Sequence, residues 1–299
     1  MYMIVVFLGI GIASILSYVL TKRMTTLKTT VKEIASGDVS KRTNLKTGDE
    51  FEQLSKDIDS MTDKLQEHIF RLKDDVQRQE AFMGAVAHEL KTPLTSIIGY
   101  ADLIRQCALD ENERMMAANY IYTEGQRLEK LSHKILDLLL LEKDAFSMKE
   151  VMLDIFLENI MPILMPMAEK KQVKLVWQSD SVSIKIEPDL VKSLLYNLVD
   201  NAIKATPSGG TVSIKGEAVS SGVTLEIADE GCGMEESELL KITDAFYRVD
   251  KSRSREQGGV GLGLTLCKKI VDLHQGTMTF YSKKGKGTCV TIVFYFEKE

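Results

Sequence analysis

Cysteine is scarce in this chain, and its four cysteines stand far apart. No two of them form a CxxC pair, so the sequence predicts neither a zinc site nor a disulfide framework, and we expect reduced thiols. Positive charge is not in excess either, because 38 Lys and Arg face 43 Asp and Glu. A formal net charge of -5 provides no broad basic surface, which argues against a nucleic-acid-binding protein.

Two common marks of ATP-using enzymes are also missing. The sequence has no GxxxxGK[ST] phosphate-binding loop and none of the signature loops of Ser/Thr/Tyr kinases. Its 299 residues, 44% of them hydrophobic, are nevertheless those of an ordinary folded chain with two or three domains. Any nucleotide chemistry must therefore come from other motifs.

The first twenty residues carry no charge. MYMIVVFLGIGIASILSYVL is long enough to cross a bilayer as a helix. A cleaved signal peptide is the alternative, but no basic residue precedes the run, and the run is longer than a usual signal core. Four basic residues follow it: Lys22, Arg23, Lys28 and Lys32. The positive-inside rule then predicts a single transmembrane helix with everything after Leu20 in the cytoplasm. The input signal enters within the membrane or through a partner, or further sequence precedes Met1.

Helical periodicity dominates the first half of the chain. One apolar seam ends near Ile34, glycine and aspartate interrupt it, and a second seam runs from Phe51 to Ile97. A repeat of this length is a coiled-coil signal. Helices around 68–108 and 111–143 should form a hairpin, and two hairpins, one per subunit, would complete a four-helix bundle. We therefore expect a homodimer.

The second half alternates differently. An amphipathic helix runs from Met152 to about Lys170, and further helices are predicted near 188–206 and 262–274. Six strand-like runs lie among them: VKLVWQS, VSIKI, TVSIKG, VTLEIAD, TMTFYS and TCVTIVFYF. This order predicts a sheet covered on one face by helices.

His88 lies in the stretch AVAHELKTPLT and faces away from the apolar side of its helix, by roughly 140° at ~100° per residue. An unaccompanied histidine there would be a solvated surface residue. A neutral imidazole is also a competent nucleophile, and Glu89 can accept a hydrogen bond from one ring nitrogen and leave the other free. Pro93 should kink the helix one turn later. Periodicity alone leaves the idle and the nucleophilic interpretation open.

AVAHELKTPLT resembles the phosphoacceptor motif of sensor histidine kinases. The resemblance implies that His88 takes a phosphoryl group from ATP and passes it to an aspartate of a response regulator. It also implies that Thr92, together with Glu89, positions water to remove phosphate from that partner. The alternative is that Thr92 is merely the residue before a proline.

A second stretch, LLYNLVDNAIKATPSGG, places Asn197 and Asn201 on one helical face with Lys204 one turn on. Amide oxygens suit Mg²⁺ alongside phosphate oxygens, and a lysine suits phosphate charge. Two such asparagines would otherwise be surface residues. The stretch resembles the N box of the same family, which implies that Asn201 and Asn197 bind Mg²⁺ and that Lys204 binds phosphate.

Two glycine-containing loops complete the resemblance. IADEGCGM resembles the adenine-binding loop of gyrase-like ATPases, in which Asp229 would accept the adenine amine and Gly231 and Gly233 would admit the base. FYRVDKSRSREQGGVGLGLTL resembles the boxes that bound the ATP lid. The implied nucleotide-binding residues there are Gly259, Gly261, Leu262 and Gly263, whose backbone N–H groups precede a helix. Arg248 would stabilise the γ-phosphate.

IASGDVS and DEFEQLS resemble a HAMP domain, although Glu52 stands where that family usually has glycine. We therefore predict a multidomain membrane protein: a transmembrane helix (1–20), an all-α HAMP domain (21–72), a helical-hairpin dimerisation and phosphoacceptor domain (73–145), and an α/β sandwich of the gyrase-like (Bergerat) ATP-binding fold (150–299). ATP, Mg²⁺, a response regulator and the lipid bilayer are the implied cofactors and partners. A nucleotide-binding scaffold without phosphotransfer, favoured only by Ala205 and Glu230, and another gyrase-like ATPase are the rival interpretations.

Overall fold

The fold is taken from a computed structural model, which describes residues 2–141, 147–249 and 260–296. These residues divide into two compact units, Met1–Gly84 and Ala85–Glu299. Each unit is described by itself.

The first unit consists of two helices and the segment between them. Helix α1 (Tyr2–Ala35) is long and apolar enough to cross a membrane, and its apolar stretch is exposed throughout. Helix α2 (Glu50–Gln106) begins after the connecting segment. The Glu52 side chain accepts a hydrogen bond from the Gly48 N–H at 2.8 Å, so the residue that departs from the HAMP pattern ties the preceding turn to the first turn of α2. Asp49 caps the helix by accepting from the Phe51 N–H at 3.1 Å.

The connecting segment is held to α2 by polar contacts. The Thr43 N–H and hydroxyl donate to Asp59 at 2.7 and 2.9 Å, and the Leu45 N–H donates to the Ser55 hydroxyl at 3.0 Å. Thr43 and Ser55 are buried, so these bonds satisfy groups that water cannot reach. The interruption that glycine and aspartate predicted is thus an ordered connection.

Helix α2 continues into the second unit and runs through Pro93. The proline ring has no N–H, so the Glu89 carbonyl lacks its usual helical donor one residue after His88. A turn then leads to α3 (Glu111–Leu140). Asp110 caps α3 through a capping box with Glu113, at 2.8 and 3.0 Å. The predicted helical hairpin is confirmed.

The rest of the second unit is an α/β sandwich. Its elements are β1 (Lys149–Met152), α4 (Leu153–Lys170), β2 (Lys174–Ser179), β3 (Ser183–Ile186), α5 (Pro188–Ala205), β4 (Thr211–Val219), β5 (Gly222–Asp229), α6 (Glu236–Leu239), α7 (Gly263–Leu273), β6 (Thr277–Lys283) and β7 (Gly287–Tyr295). Five strands form one sheet in the order β2-β4-β5-β7-β6, parallel between β2 and β4 and antiparallel elsewhere. Strands β1 and β3 form a separate antiparallel pair.

One face of the large sheet is buried and the other is polar. Ile214, Ile227 and Val290 are aligned across three neighbouring strands and are buried. Their chain neighbours Lys215 on β4 and Glu226 on β5 alternate to the other face of the sheet. Helices α4, α5 and α7 pack beside these strands. The predicted sheet with helices on one face is confirmed.

His274 ties the end of α7 to the start of α5. Its Nε2 accepts a hydrogen bond from the Glu187 N–H at 3.0 Å, and its Nδ1 donates to the Ile270 carbonyl at 2.7 Å. The ring edge also packs on Phe294. This arrangement requires a neutral imidazole, and burial lowers the pKa of His274.

We expect the stability of the ATPase part to fall as the pH drops below about 6.5. His274 binds a proton in the unfolded chain at that pH, whereas in the folded chain its lowered pKa keeps it neutral. Urea unfolding of the full chain at pH 7.5 and 5.5 measures this loss. His274→Gln should lower the free energy of unfolding at both pH values and reduce the difference in this free energy between pH 7.5 and 5.5. His133→Gln, at an exposed position on α3, should keep it. An unchanged pH difference in His274→Gln would contradict this assignment.

Candidate active site

A cavity of about 850 Å³ opens between α5, the end of β5 and the start of α7. Its volume lies in the usual range for small-molecule sites. Seven of the predicted site residues line it: Asn201, Lys204, Asp229, Gly231, Arg248, Gly261 and Gly263. The fold thus brings together residues from three separate motifs.

The polar edge of the cavity comes from α5. The Asn197 Nδ2 donates to the Ser193 carbonyl at 2.8 Å, which leaves its Oδ1 turned toward α7. A Cβ on Gly263 would lie 3.0 Å from that oxygen, so glycine keeps the amide accessible. Asn201 is exposed at the cavity, and the Lys204 ammonium pairs with Asp200 at 2.5 Å. An amide group and an ammonium group, from Asn201 and Lys204, therefore face one space, whereas the Asn197 amide is buried next to Gly263 and is not among the residues that line the cavity.

Asp229 ends β5 with its carboxylate at the other side of the cavity. Its Oδ1 accepts hydrogen bonds from the Gly231 N–H at 2.8 Å and the Thr288 N–H at 3.2 Å. Burial raises the pKa of Asp229, and these two bonds oppose the rise. Among the residues that the structure describes, Oδ2 accepts no hydrogen bond. One carboxylate oxygen is thus available to a ligand donor.

The loop after Asp229 leaves no space for a side chain at residue 231. A Cβ on Gly231 would lie 2.5 Å from the Asp229 Oδ1 and 2.8 Å from the backbone of Ala205. Glu230, where the family often has asparagine, lines the cavity, and its carboxylate accepts a hydrogen bond from the Thr211 N–H at 2.8 Å. Glu230 therefore ties the cavity wall to the start of β4.

The two flanks of segment 250–259 meet at the cavity. The Phe246 N–H donates to the Gly261 carbonyl at 2.8 Å, and both residues have positive φ, 65° and 77°. Arg248 is half-buried and lines the cavity. Gly259 lies outside the described residues. The hydrogen bond between Phe246 and Gly261 holds together the two described flanks on either side of segment 250–259.

Two predicted nucleotide contacts lie behind the cavity. Leu262 is fully buried, immediately precedes α7 and is not among the residues that line the cavity. A Cβ on Gly233 would lie 2.1 Å from the Lys283 carbonyl, at a φ of 57°. The positions of Leu262 and Gly233 are those of residues whose backbone supports the cavity.

His88 is exposed on α2, outside the set of residues that line the cavity. The Thr92 hydroxyl donates to the His88 carbonyl at 3.3 Å, which places both residues on one face of the helix. The Glu89 carboxylate lies 3.5 Å from the guanidinium of Arg127 on α3. Arg127 also lies 3.6 Å from Glu124. Sequence reasoning paired Glu89 with the His88 ring and missed Arg127.

Sequence reasoning also missed Lys134, which lines the cavity from α3. Its Nζ lies 3.5 Å from the Asn197 Oδ1. Burial, followed by the nearby ammonium of Lys204, lowers the pKa of Lys134. No motif marks this lysine, because only the packing of the hairpin on the ATPase fold brings it to Asn197.

Three family models match the chain in order along the sequence. They are the HAMP domain at residues 15–67, the His Kinase A (phospho-acceptor) domain at 78–143, and the Histidine kinase-, DNA gyrase B-, and HSP90-like ATPase at 169–298. The chain belongs to the HAMP-containing sensor histidine kinases. The ATPase match supports the use of ATP by this chain.

Curated sensor histidine kinases match most of this chain. The sensor histidine kinase YclK of Bacillus subtilis is 30% identical over 272 residues, 89% of this chain and 57% of its own length. The signal transduction histidine-protein kinase ArlS of Staphylococcus haemolyticus is 29% identical over 294 residues, 96% of this chain and 63% of its own. The chain thus spans less than two thirds of these relatives.

Solved histidine kinases share the fold. Acinetobacter baumannii AdeS aligns with a TM-score of 0.54 at 22% identity, over 70% of this chain and 98% of its own. ThkA, solved in complex with the response regulator TrrA, aligns with a TM-score of 0.61 at 22% identity, over 76% of this chain and 66% of its own. These histidine kinases confirm the predicted fold class.

We expect Gly231→Ala to destabilise the loop by about 1–3 kcal/mol, because the added carbon overlaps Asp229 and Ala205. Affinity for an ATP analogue should fall about tenfold or more, as measured by equilibrium titration of the full chain. Gly209→Ala is the control, since Gly209, unlike Gly231, has positive φ but has no atom near its Cβ position. It should cost stability through backbone strain alone and keep the affinity. Equal affinities of both variants would show that the cavity tolerates a side chain at residue 231.

Proposed function

We propose that this chain is an ATP-dependent sensor protein-histidine kinase that phosphorylates itself on His88 and transfers the phosphoryl group to an aspartate of a response regulator. The observation that carries the proposal is the exposure of His88, the histidine of the motif AVAHELKTPLT, on the phospho-acceptor hairpin of a chain that also contains the ATPase cavity. A surface histidine without a function would need neither the phospho-acceptor hairpin nor an ATPase cavity in the same chain. A gyrase-like ATPase of another kind would have no use for the hairpin.

The cavity residues fit Mg·ATP by their chemistry. Asp229 offers an unengaged oxygen to the adenine amine, beside a loop that glycine keeps open at residue 231. Asn197 and Asn201 offer the amide oxygens that a hard cation accepts, and the exposure of Asn201 leaves room for the water ligands that Mg²⁺ usually retains. Mg²⁺ would neutralise charge on the phosphate oxygens. The Lys204 ammonium would give up its ion pair with Asp200 and pair with a phosphate group instead.

The transfer itself needs few protein groups. A nitrogen of neutral His88 forms the new bond to the γ-phosphorus, the bond between that phosphorus and the β–γ bridging oxygen breaks, and ADP leaves with the electron pair. Glu89, held beside Arg127, is the nearest acidic residue along the chain for the imidazole proton. Arg248 at the cavity would offset charge on the transferring group.

His88 does not line the cavity, so the two sites must approach each other during catalysis. Either the ATPase domain moves relative to its own hairpin, or the histidine of a second subunit is used. Homodimerisation is supported by exposed apolar side chains on α2 and α3, which include Leu94, Ile98, Met115 and Met116. Two hairpins would cover them as a four-helix bundle.

The proposal also assigns a location and a partner. Helix α1 and the HAMP match support anchoring in the cell membrane, and the basic residues that follow Leu20 support a cytoplasmic catalytic part. The domain limits of the sequence analysis, 1–20, 21–72, 73–145 and 150–299, are part of this proposal. ThkA, solved with a response regulator, supports the same class of partner here.

Replacement of His88 tests the kinase directly. The full chain in detergent is incubated with Mg²⁺ and ATP labelled at the γ-phosphate. We expect acid-labile, alkali-stable label on the wild type and none on His88→Gln. His133→Gln, at an exposed histidine of the same hairpin, should be labelled normally. Folded, ATP-bound wild type that stays unlabelled, even with regulator and stimulus present, would favour the nucleotide-binding scaffold.

Thr92 tests the second activity, removal of phosphate from the regulator. Thr92→Ala should slow dephosphorylation of the labelled regulator about 100-fold, because a water molecule loses its positioning group, while labelling of His88 persists. Thr95→Ala is the matched control, since the Thr95 hydroxyl makes the same kind of bond to the backbone, to the Lys91 carbonyl at 2.8 Å. If both variants dephosphorylate the regulator like the wild type, Thr92 has no such role.

A further inference from the structure

A lysine of the phosphoacceptor hairpin reaches a group that the proposed function gives to the metal. Lys134 lies on α3, outside every nucleotide motif, and its Nζ is 3.5 Å from the Asn197 Oδ1. Lys134 also lines the ATP cavity. The contact therefore joins the hairpin that carries His88, the proposed phosphate acceptor, to the cavity proposed for ATP, the phosphate donor.

Among the described residues, Lys134 is the cation that contacts this oxygen. The Asn197 Nδ2 is held by the Ser193 carbonyl, so Oδ1 is the atom that the side chain presents. Gly263, at the first turn of α7, keeps a notch open there: a Cβ would lie 3.0 Å from Oδ1 and 3.7 Å from the Lys134 Nζ. The nearby carboxylate of Asp200 is already paired with Lys204. Lys134 thus rests on a neutral amide.

Mg²⁺ and an ammonium group at this oxygen are poorly compatible. Mg²⁺ binds its oxygen ligands at about 2.0–2.1 Å, which would bring two positive charges on the metal close to the lysine head. Like charges at such distances repel strongly inside a protein, and the positive end of the α7 dipole adds to the repulsion. Asn197 therefore serves one of the two cations at a time.

We propose that Lys134 is a stand-in cation that occupies Asn197 while the site lacks nucleotide and is displaced when Mg·ATP binds. The inference rests on the proposed assignment of Asn197 to Mg²⁺. Because coupling between two binding events is reciprocal, Mg·ATP weakens docking of the hairpin on the ATPase domain by the factor by which docking weakens Mg·ATP binding. Loading of the site thereby loosens the ATPase domain from α3 before it approaches a phosphate acceptor.

Neutral variants of Lys134 test this competition by binding rather than by activity. The dissociation constant of a non-hydrolysable ATP analogue is measured for the full chain in detergent, with Mg²⁺ and with EDTA. Lys134→Met and Lys134→Gln should bind the Mg²⁺ complex about tenfold more tightly than the wild type, within the 5–150-fold range of typical coupling. In EDTA this gain should disappear. Lys130→Met, one turn earlier on α3 and exposed, is the matched control and should match the wild type.

Two results would overturn the inference. Weaker binding of the Mg²⁺ complex by folded Lys134→Met and Lys134→Gln would make Lys134 a phosphate ligand, and unchanged binding would mean that the contact is not coupled to the metal. Both results leave the kinase proposal intact, since the wild type then still binds the nucleotide. A wild type that binds no Mg²⁺ complex at all would instead overturn the proposed function together with this inference.

Discussion

Burial of one face of α5 against the sheet fixes the direction of the polar groups that this helix brings to the candidate active site. Leu194 and Leu198 are buried one turn apart, and the helical period then determines where the residues between and after them point. Asn197 is directed to α7, while Asn201 and Lys204 reach the cavity. The apolar contact thus directs the α5 side chains that the proposal assigns to metal and phosphate.

The opposite wall of the cavity depends on close backbone approach. Strands β5 and β7 pair with Asp229 opposite Thr288, so the Thr288 N–H can donate to the Asp229 carboxylate. Glycine is required at 231 and 287, where a Cβ would meet the side chain and the backbone carbonyl of Asp229. Sheet register and glycine placement therefore hold one carboxylate in a partly buried position with one oxygen available.

Periodicity was sufficient for the long elements and insufficient for the short ones. The hairpin helices, α4, α5, α7 and six strands follow from repeats of 3.6 or 2 residues. The four-residue β1 and α6 were not predicted, because α6 is barely one helical turn and β1, unlike the equally short β3, lacks alternating burial. Arg127 and Lys134 escaped detection because their partners, Glu89 and Asn197, are distant in sequence and only tertiary packing brings them together. Leu262 was predicted as a nucleotide contact from its motif, but its side chain is buried in the core.

The two missed cations share one face of α3. Arg127 and Lys134 are seven residues apart, which is two helical turns and about 10 Å along the axis. Arg127 contacts the carboxylate of Glu89, the residue after His88, and Lys134 contacts the amide of Asn197. A rotation of α3 about its axis would therefore move both contacts in the same direction. Because a packed helix changes between discrete arrangements rather than continuously, one such change would alter the acceptor site and the donor site together.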